Sequence, residues 1–440
     1  MDKKYTSISL FASSGIGDIS LKKSGVHTLV ANELLNDRCA LFKRNFPETH
    51  LIHGAIDEKK SEIIAETKSR LNGDQLDFAL VTPPCQGMSK NGRGKLLAEI
   101  SAGRRPKIDA RNLLILPALE ILKALKPTTI IFENVSEMVN TSIPYEEEVL
   151  PIVEIIRMNL KEYEVEPKVI EFADYGIPQR RLRLITIATK SDALKRHKAN
   201  FGSLFPPITH SNNTEDGLKK WLTVKDVIGK MEHLDGNSKL KSQSDPLHRV
   251  SKLDDLKYWW VKNTPPNKSA FDNQCIECGF KGNTNHSSRK NSAGINRASK
   301  ETPLYCQKCN ALLPRPSVNK DGTVRLMIGF TSAYKRMDWN SPASAITRNF
   351  PYACSDNKIH PEQNRTLSIR EACMVHTISE QDFFFEKEVG VEAKLTTIRD
   401  TLGESIPPLV LQIILRNLQR LESSNFDLND DLIQKQLIFS

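Results

Sequence analysis

Long apolar runs are missing from this 440-residue chain: none approaches the roughly 18 residues that a membrane-spanning helix needs. Met1-Asp2-Lys3-Lys4-Tyr5 leads straight into a strand-like run, so no secretory leader is expected. Cysteine is scarce. Of eight residues, Cys39, Cys85, Cys354 and Cys373 are scattered and four form two close pairs. That excludes a disulfide framework and predicts a reducing, cytoplasmic setting with no membrane association. Internal repeats are absent. With 39% hydrophobic and 26% charged residues, the composition is that of a globular protein large enough for two or three domains.

The net charge of +9 is unevenly spread. Residues 191–335 hold 24 Lys and Arg against 13 Asp and Glu; the remainder holds 38 against 40. A basic segment within a near-neutral chain points to a polyanion, most simply nucleic acid, with a solvated lysine-rich surface as the plain alternative.

The first 190 residues alternate short apolar runs with amphipathic stretches. Strands are expected at 7–11, 27–31, 51–54, 78–82, 129–132 and 184–188, and helices near 17–25, 36–45, 58–72, 112–125 and 147–161. This alternation predicts an α/β fold with a mostly parallel sheet, whose ligands bind at the carboxyl ends of the strands. From about 191 the pattern gives way to Pro, Asn, Ser, Lys and Gly with isolated aromatics. It returns near 336 and closes on an amphipathic helix that starts at Pro407-Pro408. The expected division is a catalytic and cofactor-binding domain, 1–190 plus 336–440, enclosing a smaller irregular domain, 191–335.

Candidate chemistry sits at the expected strand ends. Phe11-Ala12-Ser13-Ser14-Gly15-Ile16-Gly17-Asp18 joins strand to helix through two glycines, which lets backbone approach a ligand or simply makes a tight turn. Glu33 ends the second strand, where a carboxylate can bind ribose hydroxyls. Together they favour a nucleoside-containing cofactor, and the incomplete glycine set disfavours a dinucleotide. Cys85 follows the apolar Phe78-Ala79-Leu80-Val81 and opens the basic, glycine-containing loop 86–107. This is a setting for a nucleophile, although most free cysteines are inert core residues. Glu133 ends the next strand, beside Cys85 if the two strands are neighbours; burial there would raise its pKa. In Gln179-Arg180-Arg181-Leu182-Arg183, strand alternation points Arg181 and Arg183 to one face, suited to an anion or a base edge, or to protecting a sheet edge. Finally, Cys275-Ile276-Glu277-Cys278 and Cys306-Gln307-Lys308-Cys309 have the spacing of a four-thiolate structural zinc ribbon at about 270–315, with two coincidental turns or a redox pair as the plain alternative, and with His286 as a spare ligand or a surface residue. Arg289, Lys290, Arg297 and Lys300 between the pairs are suited to phosphate contacts.

Pro84-Cys85-Gln86, Glu133-Asn134-Val135 and Gln179-Arg180-Arg181-Leu182-Arg183, in this order, closely resemble the cytosine-C5 DNA methyltransferases. Asp109-Ala110-Arg111-Asn112-Leu113, then Arg336, Trp339, Pro342 and Ile346-Thr347-Arg348, and the segment 403–408 resemble further motifs of that family. The resemblance implies a Rossmann-like S-adenosylmethionine-dependent domain and a target-recognition domain at 191–335. It implies Cys85, Glu133, Arg181 and Arg183 as catalytic residues. It also implies S-adenosylmethionine held by Phe11, Gly15, Ile16, Gly17, Glu33, Leu34, Ile56, Pro83, Glu404 and Ser405. Three positions depart from the family pattern: Ser13 replaces a glycine, Ala55 an aspartate (with Asp57 nearby), and Glu404 an asparagine. The implied partner is duplex DNA, with a cognate restriction endonuclease acting separately and the enzyme a monomer. A tRNA-modifying cytosine methyltransferase, disfavoured by the long middle segment, and a non-catalytic DNA-binding regulator, disfavoured by Cys85, Glu133 and Arg181, are the alternatives.

Overall fold

The computed structural model describes residues 4–84, 109–213, 217–290, 296–298, 301–327 and 332–423, with backbone alone at 288–290 and 296–298. Cys85, the loop 86–107 and the side chains of Arg289, Lys290, Arg297 and Lys300 lie outside the described residues.

Seven strands form the central sheet: β1 (Tyr5–Leu10), β2 (Val26–Glu33), β3 (His50–His53), β4 (Phe78–Val81), β5 (Thr129–Val135), β8 (Glu164–Glu171) and β10 (Leu182–Thr189). Their order is β3-β2-β1-β4-β5-β10-β8. The first five run parallel; β10 is antiparallel to both β5 and β8. β4 is buried along its whole length, so Phe78 and Leu80 serve one face while Ala79 and Val81 serve the other. A strand covered on both sides reads as an unbroken apolar run.

On one face pack α3 (Ile56–Leu71), α4 (Ile115–Leu125) and α5 (Ile152–Asn159). On the other, α1 (Asp18–Lys23) and α11 (Pro408–Ser423) pack beneath β1 and β4, Leu21 meeting Val410, Leu411 and Ile414 in one core. The C-terminal helix thus fills the face under the first strand. Gln419 and Arg416 also donate to the backbone carbonyls of Ser24 and Lys23.

Three expectations need correction. Residues 148–151 are not helical: β7 (Glu148–Pro151) pairs with β6 (Ser142–Tyr145), and α5 begins only after Pro151. β8 escaped notice because Glu164-Val165-Glu166-Pro167-Lys168 carries charges and a proline, the marks of an edge strand. And the second core begins later than residue 191. Within α6 (Asp192–Phe201), Leu194 joins the core under α11, and Val224 and Ile228 of α7 (Val224–Ile228) join a core shared with α9 (Ile369–Val375). A separate small core forms around Leu253, Trp260 and Val261, the latter two on α8 (Asp255–Lys262), with Phe271 and Tyr334. Among the described residues no helix is long and apolar enough to cross a membrane.

Two buried features invite direct tests. Near the end of α10 (Leu395–Glu404), a β-carbon on Gly403 would lie 1.9 Å from the Arg348 nitrogen. Backbone cannot yield as a side-chain tip can, so Gly403→Ala should cost about 3 kcal/mol or more in chemical denaturation; an unchanged midpoint would refute this close approach. The Asp18 carboxyl, 1% exposed and reached by the Ser9 hydroxyl at 3.2 Å, is pushed up from about 4 to about 7 by burial. The folded chain therefore holds a proton that the unfolded chain has lost, and stability falls as pH rises from about 4 through 7. Asp18→Asn should flatten the fall in melting temperature between pH 5 and 8; parallel profiles for the two proteins would contradict it.

Candidate functional site

The strand order reverses between β1 and β4, which opens a crevice at their carboxyl ends. Phe11, at positive φ, leaves β1 there, and its carbonyl accepts from the Thr82 hydroxyl at 3.1 Å. Gly15 has φ +90°, and a β-carbon on it would strike the Phe46 ring at 2.5 Å, so packing demands this glycine. Gly17 has no such demand: its nearest neighbour would be Leu80 at 3.4 Å. Ile16 and Ile56 are buried, and Pro83 lies at the mouth just beyond β4.

The Glu33 carboxylate is buried at the tip of β2, where its two oxygens accept from the backbone nitrogens of Ser13 and Leu35, each at 2.8 Å. It thereby staples the first turn to the second strand. Next to it Leu34 stays 56% exposed, leaving apolar surface open at the strand tip. Asp57 lies exposed in the first turn of α3.

The last segment closes the crevice. The Ser14 hydroxyl donates to Thr401 at 3.0 Å, bringing the end of α10 against the first turn. Arg38, on α2 (Asn36–Asn45), pairs with Glu404 and reaches the Ser13 hydroxyl at 3.5 Å. Arg348 approaches the same carboxylate at 4.0 Å. Two of the three departures from the family pattern, Ser13 and Glu404, are thus joined through one guanidinium. Sequence reading missed Arg38 because its partner lies 366 residues away.

On the other side of the crevice β4 and β5 run parallel, and the Asn134 amide donates to the Pro83 carbonyl at 3.1 Å. The strand ends are therefore held together just short of Cys85. Glu133 is 9% exposed and pairs with Arg183 at 3.1 Å. Burial raises its carboxyl above the usual range, against the opposing pull of Arg183 and Arg181. A carboxyl so placed can both carry a proton and accept a hydrogen bond.

Arg181 does not sit in a strand. β9 (Gln179–Arg180) pairs with β11 (Ala343–Ser344), β10 begins at Leu182, and alternation does not carry across the break. Arg181 is 3% exposed and donates to the carbonyls of Ile346 at 2.7 Å and Ser405 at 2.8 Å. The sequence offered no sign of these carbonyls, nor of the buried His376 beside them.

Far along the chain, the sulfurs of Cys275, Cys278, Cys306 and Cys309 gather within 4.8 Å of one another. Contacts of 3.6, 3.6 and 3.7 Å match the edge of about 3.8 Å that four thiolates make around an ion at about 2.3 Å. The Lys308 backbone nitrogen also donates to the Cys306 sulfur at 3.4 Å, as a thiolate favours. His286 stands apart, stacked on Phe271 at 4.4 Å and bonded to Thr302. Fully buried Arg315 ties the knuckles to the chain around them through the carbonyls of Asn273, Thr284 and Pro303.

Known proteins resemble the chain over most of its length. The Type II methyltransferase M1.HgaI of Avibacterium volantium is 26% identical over 430 residues, covering 95% of this chain and 99% of its own. The Type II methyltransferase M1.HphI of Haemophilus parahaemolyticus is 22% identical, covering 95% and 88%. Among solved structures, a DNA modification methyltransferase encoded within an E. coli prophage shares the fold with a TM-score of 0.53 at 19% identity, covering 96% of this chain and all of its own. The Entamoeba histolytica methyltransferase EhMeth does so at 0.51 and 14%, covering 95% and 99%. The family described as C-5 cytosine-specific DNA methylase matches residues 5–420. The chain belongs to that family and is a DNA cytosine-C5 methyltransferase.

Proposed function

We propose that this enzyme methylates C5 of one cytosine within a specific duplex DNA sequence, as the modification half of a restriction–modification system. The observation that carries the reading is the buried Glu133–Arg183 pair at the end of β5, beside the strand end that leads to Cys85. The relatives named type II methyltransferases support the biological setting. A cognate endonuclease would act separately. The enzyme would act as a monomer, since reading one site needs no two-fold symmetry.

S-adenosylmethionine, when bound, supplies the methyl group. The crevice suits it: Phe11, Gly15, Ile16 and Gly17 form the turn, Glu33 and Leu34 offer a carboxylate beside open apolar surface, and Ile56, Pro83, Glu404 and Ser405 complete the walls. Cytosine C5 is a poor nucleophile, so Cys85 adds through its thiolate to C6 and the displaced electron pair makes C5 reactive. Glu133 holds the N3 edge and stabilises the charge that develops there. Arg181 and Arg183 hold the ring and its carbonyl oxygen. C5 then takes the methyl group as the S–CH3 bond breaks to leave the neutral thioether, and loss of the C5 proton to solvent re-forms the double bond and releases Cys85. A stacked base is out of reach of Cys85, so the target flips out, at a cost of a few kcal/mol. The loop 86–107 would close over it, and the basic residues of 191–335 would grip the backbone.

We also assign a structural zinc ion to Cys275, Cys278, Cys306 and Cys309. Their local core is only Leu313 with Phe280 and Ala311 packed on it, so metal would supply much of the folding energy.

Methyl transfer from labelled S-adenosylmethionine to mixed-sequence duplex DNA, mapped base by base, tests the main reading. The expected product is C5-methylcytosine in one short motif; transfer to tRNA instead, or to neither, would overturn it. Cys85→Ala should lower transfer by about a thousandfold or more yet retain DNA binding. For the metal, elemental analysis should find about one zinc per chain, and chelation should lower the melting temperature; a metal-free protein with an unchanged melt would refute the assignment.

A further inference from the structure

Five residues close a buried ring of hydrogen bonds between the two halves of the site. The Gln179 amide donates to the Val375 carbonyl at 3.0 Å, and its oxygen accepts from the Ile346 backbone nitrogen at 3.2 Å. Those two backbone partners fix which way the amide faces. Its nitrogen also lies 3.1 Å from Nδ1 of His376, which must therefore accept. The ring proton of His376 is left on Nε2, facing the carbonyl and hydroxyl of Ser405 at 3.2 and 3.0 Å. The Ser405 hydroxyl donates onward to the Leu402 carbonyl at 3.2 Å, so it is free to accept from His376. The Ser405 carbonyl receives Arg181 as well, and the other arm of Arg181 returns to Ile346.

Gln179, Arg181 and His376 are 0–3% exposed. A proton on Nδ1 would set donor against donor at Gln179, and burial, with Arg181 next in effect, holds His376 well below its ordinary range. The ring therefore has one stable hydrogen-bond direction. Ser405 follows Glu404, which is tied through Arg38 to the first turn at Ser13. Arg181, with Arg183, also lowers the Glu133 carboxyl electrostatically. The single Ser405 carbonyl is where the two sides meet.

We propose that His376 is a positioning residue that couples cofactor binding to the grip on the target cytosine, by holding Ser405 where Arg181 needs it. The proposal rests on the reading above, in which Ser405 faces the cofactor and Arg181 the base. Anything that orders the Ser405 segment then orders Arg181, and the two ligands strengthen each other by one shared factor.

The test uses the full-length enzyme, S-adenosylhomocysteine as a non-reacting probe, and a duplex carrying the mapped target. In the wild-type protein each ligand should tighten the other about 5- to 150-fold, equally in both directions. His376→Phe keeps the ring volume but removes both nitrogens. It should bind each ligand alone within about threefold of wild type while the mutual tightening falls to less than about twofold. His376→Gln restores a donor toward Ser405 and should recover the coupling. Wild-type coupling retained in His376→Phe, its absence from the wild-type enzyme, or its loss in His376→Gln would each overturn the proposal. If the wild-type enzyme bound neither ligand, the functional reading itself would fail instead.

Discussion

The backbone at Arg348 runs so close to Gly403 that any side chain there would occupy the same space. That contact brings the end of α10 against the segment after Ile346. From there Ser405 reaches Arg181, Thr401 reaches Ser14, and Glu404 reaches Arg38. The C-terminal helix then packs under β1 and completes the sheet's second face. This return of the chain supplies one wall of the crevice, from residues near 10–40 and near 400, and through Ser405 it reaches Arg181 on the other side.

Burial sets the electrostatics of the crevice. Glu133 is desolvated first and stabilised second, so its carboxyl stays raised although Arg183 lies 3.1 Å away. His376 is held uncharged by the same burial, and its neutrality permits an acceptor to face Gln179. Arg181 is held in place by donating to two backbone carbonyls, those of Ile346 and Ser405.

The cysteine knuckles follow a different economy. Their core is too small to hold the segment, and the four sulfurs are spaced as an ion would space them. Arg315 and the Trp260–Tyr334–Phe271 cluster then join the knuckles to the rest of the middle segment. This lets a polar, loop-rich stretch keep a defined shape with little apolar area to bury.

Local pattern was enough to read the sheet's six main strands, most flanking helices, the cysteine spacing and the motifs that mark the family, because apolar periodicity and short motifs are properties of neighbours in sequence. The charged edge strand β8 and the hairpin before α5 were not legible, since pairing with a distant or adjacent strand overrode what those residues favour alone. The break at Arg181 has the same origin: β9 takes Ala343–Ser344 as its partner, and the alternation that places Arg181 and Arg183 on one face stops there. The sequence by itself determined which residues could do the chemistry and roughly where each strand would end. Only the tertiary structure decided that Arg38 would join Ser13 to Glu404, and that His376 would meet Ser405. Those contacts close over hundreds of residues, and only the packed fold brings the groups within hydrogen-bonding distance.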